Sequence, residues 1–163
     1  MDRNEFLIEL KTGRFAQMVS ENLPGEKVSN TRELFNVLKP IFAADKDREK
    51  MYCIFFNADQ RIIQIDCLAE GTITGCSIYP REILKKVFEY GAVSVIFAHN
   101  HPSGNILPSA EDINITKQLF SACYFVNVSL IDHLIIGRNN YYSFRNTGCM
   151  EKFKTGILDY MRK

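Results

Sequence analysis

"AHNHPSGNILPSAEDI", residues 98–113, holds two of the chain's three histidines one residue apart, a Pro-Ser-Gly break, and then Ser-x-x-Asp. The run that leads into it, "AVSVIFAHNH", is short and nearly all apolar, the pattern of a central strand covered on both faces. Residues i and i+2 of a strand share a face, so His99 and His101 aim the same way at its end. Pro102 has no amide proton to give a ladder and closes the strand. A helix then opens at Ser109, with Asp112 in its first turn, placed to turn its carboxylate back over the strand end. Spacing alone leaves two readings open. In one, Ser109 and Asp112 cap the helix, where an acid is welcome, and the histidines are structural. In the other, two neutral imidazoles and a carboxylate bind zinc and leave a fourth position for water, the pattern of a catalytic site.

Working outward, "PREILKKVFEYG" before the strand reads as a helix, with Pro80 in its first turn, Glu82 near its start and Gly91 at its end. Further back, "KMYCIFFN" and "RIIQIDCLA" are β-rich runs joined by "NADQ", a predicted hairpin. "GTITGCSIYP" reads as a weaker strand or an irregular crossing. "SNTRELFNVLKPIFA" is a predicted helix with Asn30 and Glu33 as a capping box, and Pro40 should end or kink it. After the histidine stretch come a helix over "SAEDINITKQLFSACY", strands over "VNVSLIDHLIIG" and "YYSF", and a final, peripheral helix over "EKFKTGILDYMRK". The order β-β-(β)-α-β-α-β-β with short links predicts an α/β layered domain with a mixed sheet flanked by helices. Residues 1–28 read as a helical arm and linker, 29–148 as the domain and 149–163 as the C-terminal helix.

At 163 residues, 46% apolar and 24% charged, the composition is that of one ordinary globular domain. A formal net charge of +1 supplies no bulk field towards nucleic acid or membrane. There is no signal-peptide h-region and no apolar run long enough to span a bilayer, so a cytoplasmic protein without a membrane partner is expected. The five cysteines are odd in number and contain no Cys-x-x-Cys, consistent with reduced thiols, several of them in the core.

The motif His99-x-His101-Pro102, with Ser109 and Asp112 at their offsets, resembles the JAMM motif of the JAB/MPN metalloprotease superfamily. The flanking text is similar to its bacterial RadC branch: Gly71-Thr72, Tyr79 to Glu82, His99 to Gly104, Pro108 to Asp112, Asp132 to Gly137 and Tyr142 to Phe144 recur in order. The resemblance runs from about Asn30 to Gly148. It implies a JAB/MPN fold, cytidine-deaminase-like in architecture, with one zinc ion held by His99, His101 and Asp112. It also implies that Ser109 helps hold an oxyanion, and it puts the family's catalytic glutamate on Glu49, in what otherwise reads as the solvated charge run "DKDREK". Glu70 and Glu82 are the rival carboxylates. His133 is expected as a core or supporting residue.

The function expected from this resemblance is zinc-dependent hydrolysis of a peptide or isopeptide bond in an unknown peptide or protein substrate. The alternative is a non-catalytic RadC-like module serving as an interaction platform in a DNA-repair or mobile-element context. Residues 1–28 are shorter than the helix-hairpin-helix segment that RadC-type proteins usually carry, and no clear basic stripe appears. "REILKK" and "RNNYYSFR" are the best candidates for a DNA contact. A zinc deaminase would need His-x-Glu and Pro-Cys-x-x-Cys, which are missing. In HNH nucleases the three residues are dispersed, so the contiguous "HNH" is accidental.

Overall fold

The structure is a computed structural model that describes residues 21–43, 48–71 and 78–162. The expectations for the arm before residue 21, for residues 72–77 of the crossing, and for Cys76 lie outside the described residues. The elements are α1 (Thr31–Ala43), β1 (Lys50–Phe56), β2 (Ile62–Glu70), α2 (Pro80–Tyr90), β3 (Ser94–Asn100), α3 (Ala110–Phe125), β4 (Ser129–Ile136), β5 (Tyr141–Ser143) and α4 (Cys149–Met161). Five strands form one mixed sheet in the order β2-β1-β3-β4-β5. Only β3 and β4 run parallel, joined through α3; the other pairs are antiparallel. The α/β architecture with helices on both faces is the one expected for a JAB/MPN domain.

Strand parity divides the interior into two cores. Tyr52, Ile54 and Phe56 of β1, Ile96 and Ala98 of β3, and Leu134 and Ile136 of β4 face α1, which buries Leu34, Phe35, Leu38, Ile41 and Phe42 against them. Met51, Cys53, Phe55, Val95, Phe97 and Ile135 face the opposite way, towards α2, α3 and α4. All seven residues of β3 are buried, as its unbroken apolar run requires. Odd-numbered residues of β3, and those of β4 beyond the register shift that precedes Asp132, therefore point at α3, and His99 and His133 share that parity.

Local signals account for most element ends. Glu33 N–H donates to the Asn30 side chain (2.9 Å), while the Glu33 carboxylate accepts from the Ser29 amide (2.8 Å), so the return half of the box lands one residue early. Gly91 ends α2 in the left-handed region at φ 65°. Two expectations need correction. Of the two outcomes expected at Pro40, an end or a kink, the end is ruled out, because α1 continues to Ala43. A proline costs the helix one backbone bond, and the buried Leu38, Ile41 and Phe42 on either side of it hold the segment against the sheet. Nor is α4 peripheral: Met150 and Ile157 are buried, and the Phe153 ring packs on Phe120 of α3 at 6.0 Å.

The β4–β5 turn approaches the loop after β3 closely. A Cβ at Gly137 would lie 2.4 Å from Asn140 Oδ1 and 2.7 Å from Ile106 Cγ2. Gly137→Ala is expected to destabilise the domain by about 1–3 kcal/mol through overpacking. Thermal denaturation would show this as a midpoint several degrees lower, and an unchanged midpoint would mean that the turn yields freely.

Candidate metal centre

The four donors named from the sequence meet at the carboxyl end of β3. One ligand atom from each of Glu49, His99, His101 and Asp112 lies within 4.8 Å of all the others. Register explains how Glu49 arrives. Met51 pairs with His99 across the antiparallel β1–β3 ladder, and continuing that register two residues sets Glu49 opposite His101. Parity then turns both side chains to the α3 side. Asp112 reaches the same point from the first turn of α3. Its neighbours on the buried stripe of that helix are Thr116, Leu119 and Cys123, so the polar site extends the apolar core by two residues.

His99 Nε2 lies 3.0 Å from His101 Nε2 and 3.1 Å from Asp112 Oδ1, and His101 Nε2 lies 3.3 Å from Asp112 Oδ2. Glu49 Oε1 stands further off, 3.9 Å from His101 Nε2. His99 and Asp112 are buried and His101 is partly buried.

The protons of both imidazoles can be placed by exclusion. Thr116 Oγ1 has one proton and donates it to the Asp112 carbonyl (2.5 Å). It must therefore accept from His133 Nδ1 at 2.6 Å. His133 Nε2 is left as an acceptor, and His99 Nδ1 donates to it at 2.8 Å. That leaves His99 Nε2 a bare lone pair. His101 Nδ1 donates to the Asn105 carbonyl at 2.7 Å, so His101 Nε2 is bare as well. Two lone pairs and a carboxylate converge with no proton of their own to share, and they repel unless a cation lies among them. A tetrahedral ion with bonds of 2.0–2.1 Å spaces its ligand atoms by about 3.3 Å, close to the separations seen. The donor set therefore fits a metal held by His99, His101 and Asp112, with Glu49 just outside the ligand triangle.

Without an ion, a proton on the facing nitrogens takes the cation's place. Burial pushes the Asp112 carboxyl up, but hydrogen bonds from His101 and His99, the charge of His99 and the Ser109 amide more than offset it and hold the carboxyl far below its ordinary range. His101 is raised, first by its bond to Asp112, against the opposing effect of burial. His133 is held well below its ordinary value by complete burial and by the neighbouring histidines, so it remains the neutral, singly protonated partner that the hydrogen-bond chain requires.

Ser109 caps α3. Its Oγ accepts from the Asp112 amide (3.1 Å) and donates to Asp112 Oδ2 (2.8 Å), which also accepts from the Ser109 amide (2.7 Å). The Ser109 donors thus share Oδ2 with His101 and leave Oδ1 turned to His99. The capping reading and the metal reading of this segment hold together.

The rival carboxylates are elsewhere. Glu70 lies at the end of β2 beside Arg48 (3.0 Å) and Lys50 (3.7 Å), and Glu82 is exposed beside Arg81. Glu111 is exposed on α3. Sequence reasoning missed Thr116, although it lies one turn beyond Asp112 on the same face, and it missed the Asn105 carbonyl, which is backbone and leaves no side-chain signature. It also missed the tie made by buried Asp132, which accepts from the His133 amide (2.7 Å), Ser143 Oγ (2.6 Å) and the Arg145 amide (3.0 Å) and so locks β4 to β5. A cavity of about 850 Å³ opens beside Ser94 and Ser129 at the opposite end of the strands, and none of the four candidate donors lines it.

Asn100 has even parity and points away from the histidines. Its Oδ1 accepts from the Lys50 amide (2.8 Å) and its Nδ2 donates to the Arg48 carbonyl (3.0 Å), so one amide side chain brackets the backbone of Glu49.

Comparison with known proteins agrees with this geometry. Residues 28–149 match the family model described as the RadC-like JAB domain. The chain belongs to the RadC-like JAB family. Among its relatives is a UPF0758 protein of Symbiobacterium thermophilum, 39% identical over 121 residues, which are 74% of this chain and 51% of that one. A UPF0758 protein of Gloeothece citriformis is 42% identical over 100 residues, 61% of this chain and 41% of its own. One from Aliivibrio salmonicida is 34% identical over 164 residues, covering 90% and 71% respectively. The chain spans about half the length of the first two relatives. Among the described residues, no helix is long and apolar enough to cross a membrane.

Replacing Asn100 by Ser removes the reach needed for both bonds. Asn100→Ser is expected to cost about 0.5–1.5 kcal/mol for the part-buried hydrogen bonds lost and to move Glu49 away from His101, while the content of added metal stays at the wild-type level. A melting curve, metal analysis and a crystal structure of the variant would check this. An unmoved Glu49 would show that the clamp does not set its position.

Proposed function

We propose that this chain is a zinc-dependent hydrolase of peptide or isopeptide bonds. The observation that carries the reading is the convergence of two proton-free imidazole nitrogens, one carboxylate oxygen and a second carboxylate on a single point. A bound zinc ion at such a site supplies a water molecule acidic enough to ionise near neutrality and polarises a carbonyl oxygen. His99, His101 and Asp112 hold the ion. Glu49, outside the ligand triangle but beside it, takes the proton from the attacking water and delivers it to the departing amine, a step that poor leaving groups require. Ser109 has two roles. As N-cap it is worth about 1 kcal/mol to the helix. By turning its hydroxyl from Asp112 Oδ2 it can donate to the oxyanion as that charge develops. The alternative, an interaction module on DNA or in a repair complex, has no need of a base beside the ligands, and the presence of Glu49 there favours the hydrolase.

Metal analysis of the purified protein should find about one zinc per chain, and His101→Ala should lose most of it; equal zinc in both would remove the assignment.

Glu49→Gln should keep fold and zinc and lower hydrolysis of any peptide that the wild type cleaves by at least about 10²-fold, the lower end for general-base catalysis. Full activity in that variant would end the general-base role, and zinc binding without any hydrolysis across a peptide and isopeptide panel would favour the interaction module.

A further inference from the structure

A second cavity, about 430 Å³, opens at the same end of the sheet on the side of α1, and His101 is the one candidate donor in its wall. It lies between the C-terminal end of α1, the loop after β3 and the β4–β5 turn. Its size falls within the range of about 300–1,000 Å³ typical of ligand pockets. Phe42, Pro102 and Ile136 supply apolar lining, and the charged side chains are Lys39 from α1 and Arg138 from the turn. Among the described residues no carboxylate lines this space. Lys39 Nζ donates to Asn139 Oδ1 at 3.0 Å, which ties the ammonium to the β4–β5 turn without neutralising it. Arg138 is exposed and makes no ion pair among the described residues. Two cations brought from distant parts of the chain, over an apolar lining and next to the proposed reaction centre, are complementary to one carboxylate on a short apolar stem.

We propose that this cavity is the specificity subsite of the enzyme and accepts a carboxylate of the substrate peptide, carried either by an acidic side chain beside the scissile bond or by a free chain terminus. The inference rests on the hydrolase reading for what the subsite serves, but the binding itself requires only the cavity. A peptide fits better than a nucleic acid. Phosphate backbones are held by basic residues spread along a stripe, whereas this site has two cations around a pocket with apolar walls, in a chain whose formal net charge is +1.

The test is binding followed by NMR on the whole ¹⁵N-labelled chain, with and without added zinc. The probes are acetyl-Ala-Glu-Ala-amide, its Gln counterpart, acetyl-Ala-Ala-Ala with a free carboxyl end, and a short DNA duplex. The expected result is that amide signals of Gly104, Gly137, Arg138 and Asn139 shift with the Glu peptide or with the free-acid peptide, and not with the Gln peptide; which of the two acts identifies the carboxylate's source. The double variant Lys39→Glu/Arg138→Glu should weaken that binding about tenfold or more, as expected for losing two exposed ion pairs and gaining repulsion. Lys39→Gln/Arg138→Gln, with a smaller loss in the same direction, serves should the reversal impair folding. Asp45 and Asp47 follow α1 outside the described residues, and charge reversal reads the net sign of the cavity with their contribution included. Equal shifts from the Glu and Gln peptides, binding unaffected by either double variant, or displacement of the peptide by DNA at the same amides would each overturn the proposal. Carboxylate-dependent binding in a protein that hydrolyses nothing would keep the subsite and remove the hydrolase. Hydrolysis indifferent to acidic residues would do the reverse.

Discussion

The hydroxyl proton of Thr116 can go to only one acceptor, and the site depends on where it goes. Given to the Asp112 carbonyl, it forces His133 to donate through Nδ1, which in turn forces His99 to donate through Nδ1 and to present a bare Nε2. Three elements, α3, β4 and β3, are joined by this chain, and each link is buried. In that setting an unpaired polar group costs far more than a paired one contributes, so the direction of every bond is set by the need to satisfy all of them. A metal site needs its imidazoles both deprotonated at the facing nitrogen and held in orientation, and a hydrogen bond at the other nitrogen provides both.

The sheet organises everything around that chain by parity. Odd-numbered residues at the end of β3 and before β1 meet α3 and make the centre, while even-numbered Asn100 faces the other way and fastens the segment that carries Glu49. One strand end thus supplies two candidate metal donors on one face and, on the other, the clamp for the segment that carries Glu49. Asp132 does similar work further out, where its three accepted hydrogen bonds fix the β4–β5 connection. That connection in turn closes against the loop through Gly137, so the position of the loop that carries the Asn105 carbonyl depends on a turn more than thirty residues further along the chain.

Much of this was legible in the sequence because the relevant signals are local. The i, i+2 pair on a buried strand, the Ser109-x-x-Asp112 cap and the helix end at Gly91 each depend on residues within one or two turns of one another. Pro40 misled because its local penalty was read without the apolar stripe that buries the helix on both sides of it. The last helix misled because its charged sequence concealed Met150, Phe153 and Ile157, spaced to pack on the sheet and α3. Glu49 is the clearest case. Inside "DKDREK" nothing distinguishes it from a solvated charge, and only family resemblance picked it out.

The sequence by itself determined the α/β order of elements, the face shared by His99 and His101, and the arrival of Asp112 on the helix that follows, because strand and helix periods are properties of neighbouring residues. The tertiary structure alone decided that the β1–β3 register sets Glu49 opposite His101, that His133 and Thr116 fix which imidazole nitrogens are bare, and that Lys39 and Arg138 line one cavity that His101 also borders. Those pairings join residues 17 to 99 positions apart, and no local period encodes them. They follow from burying both faces of one sheet at once, which leaves a single register and a single set of hydrogen-bond directions that satisfies every buried polar group.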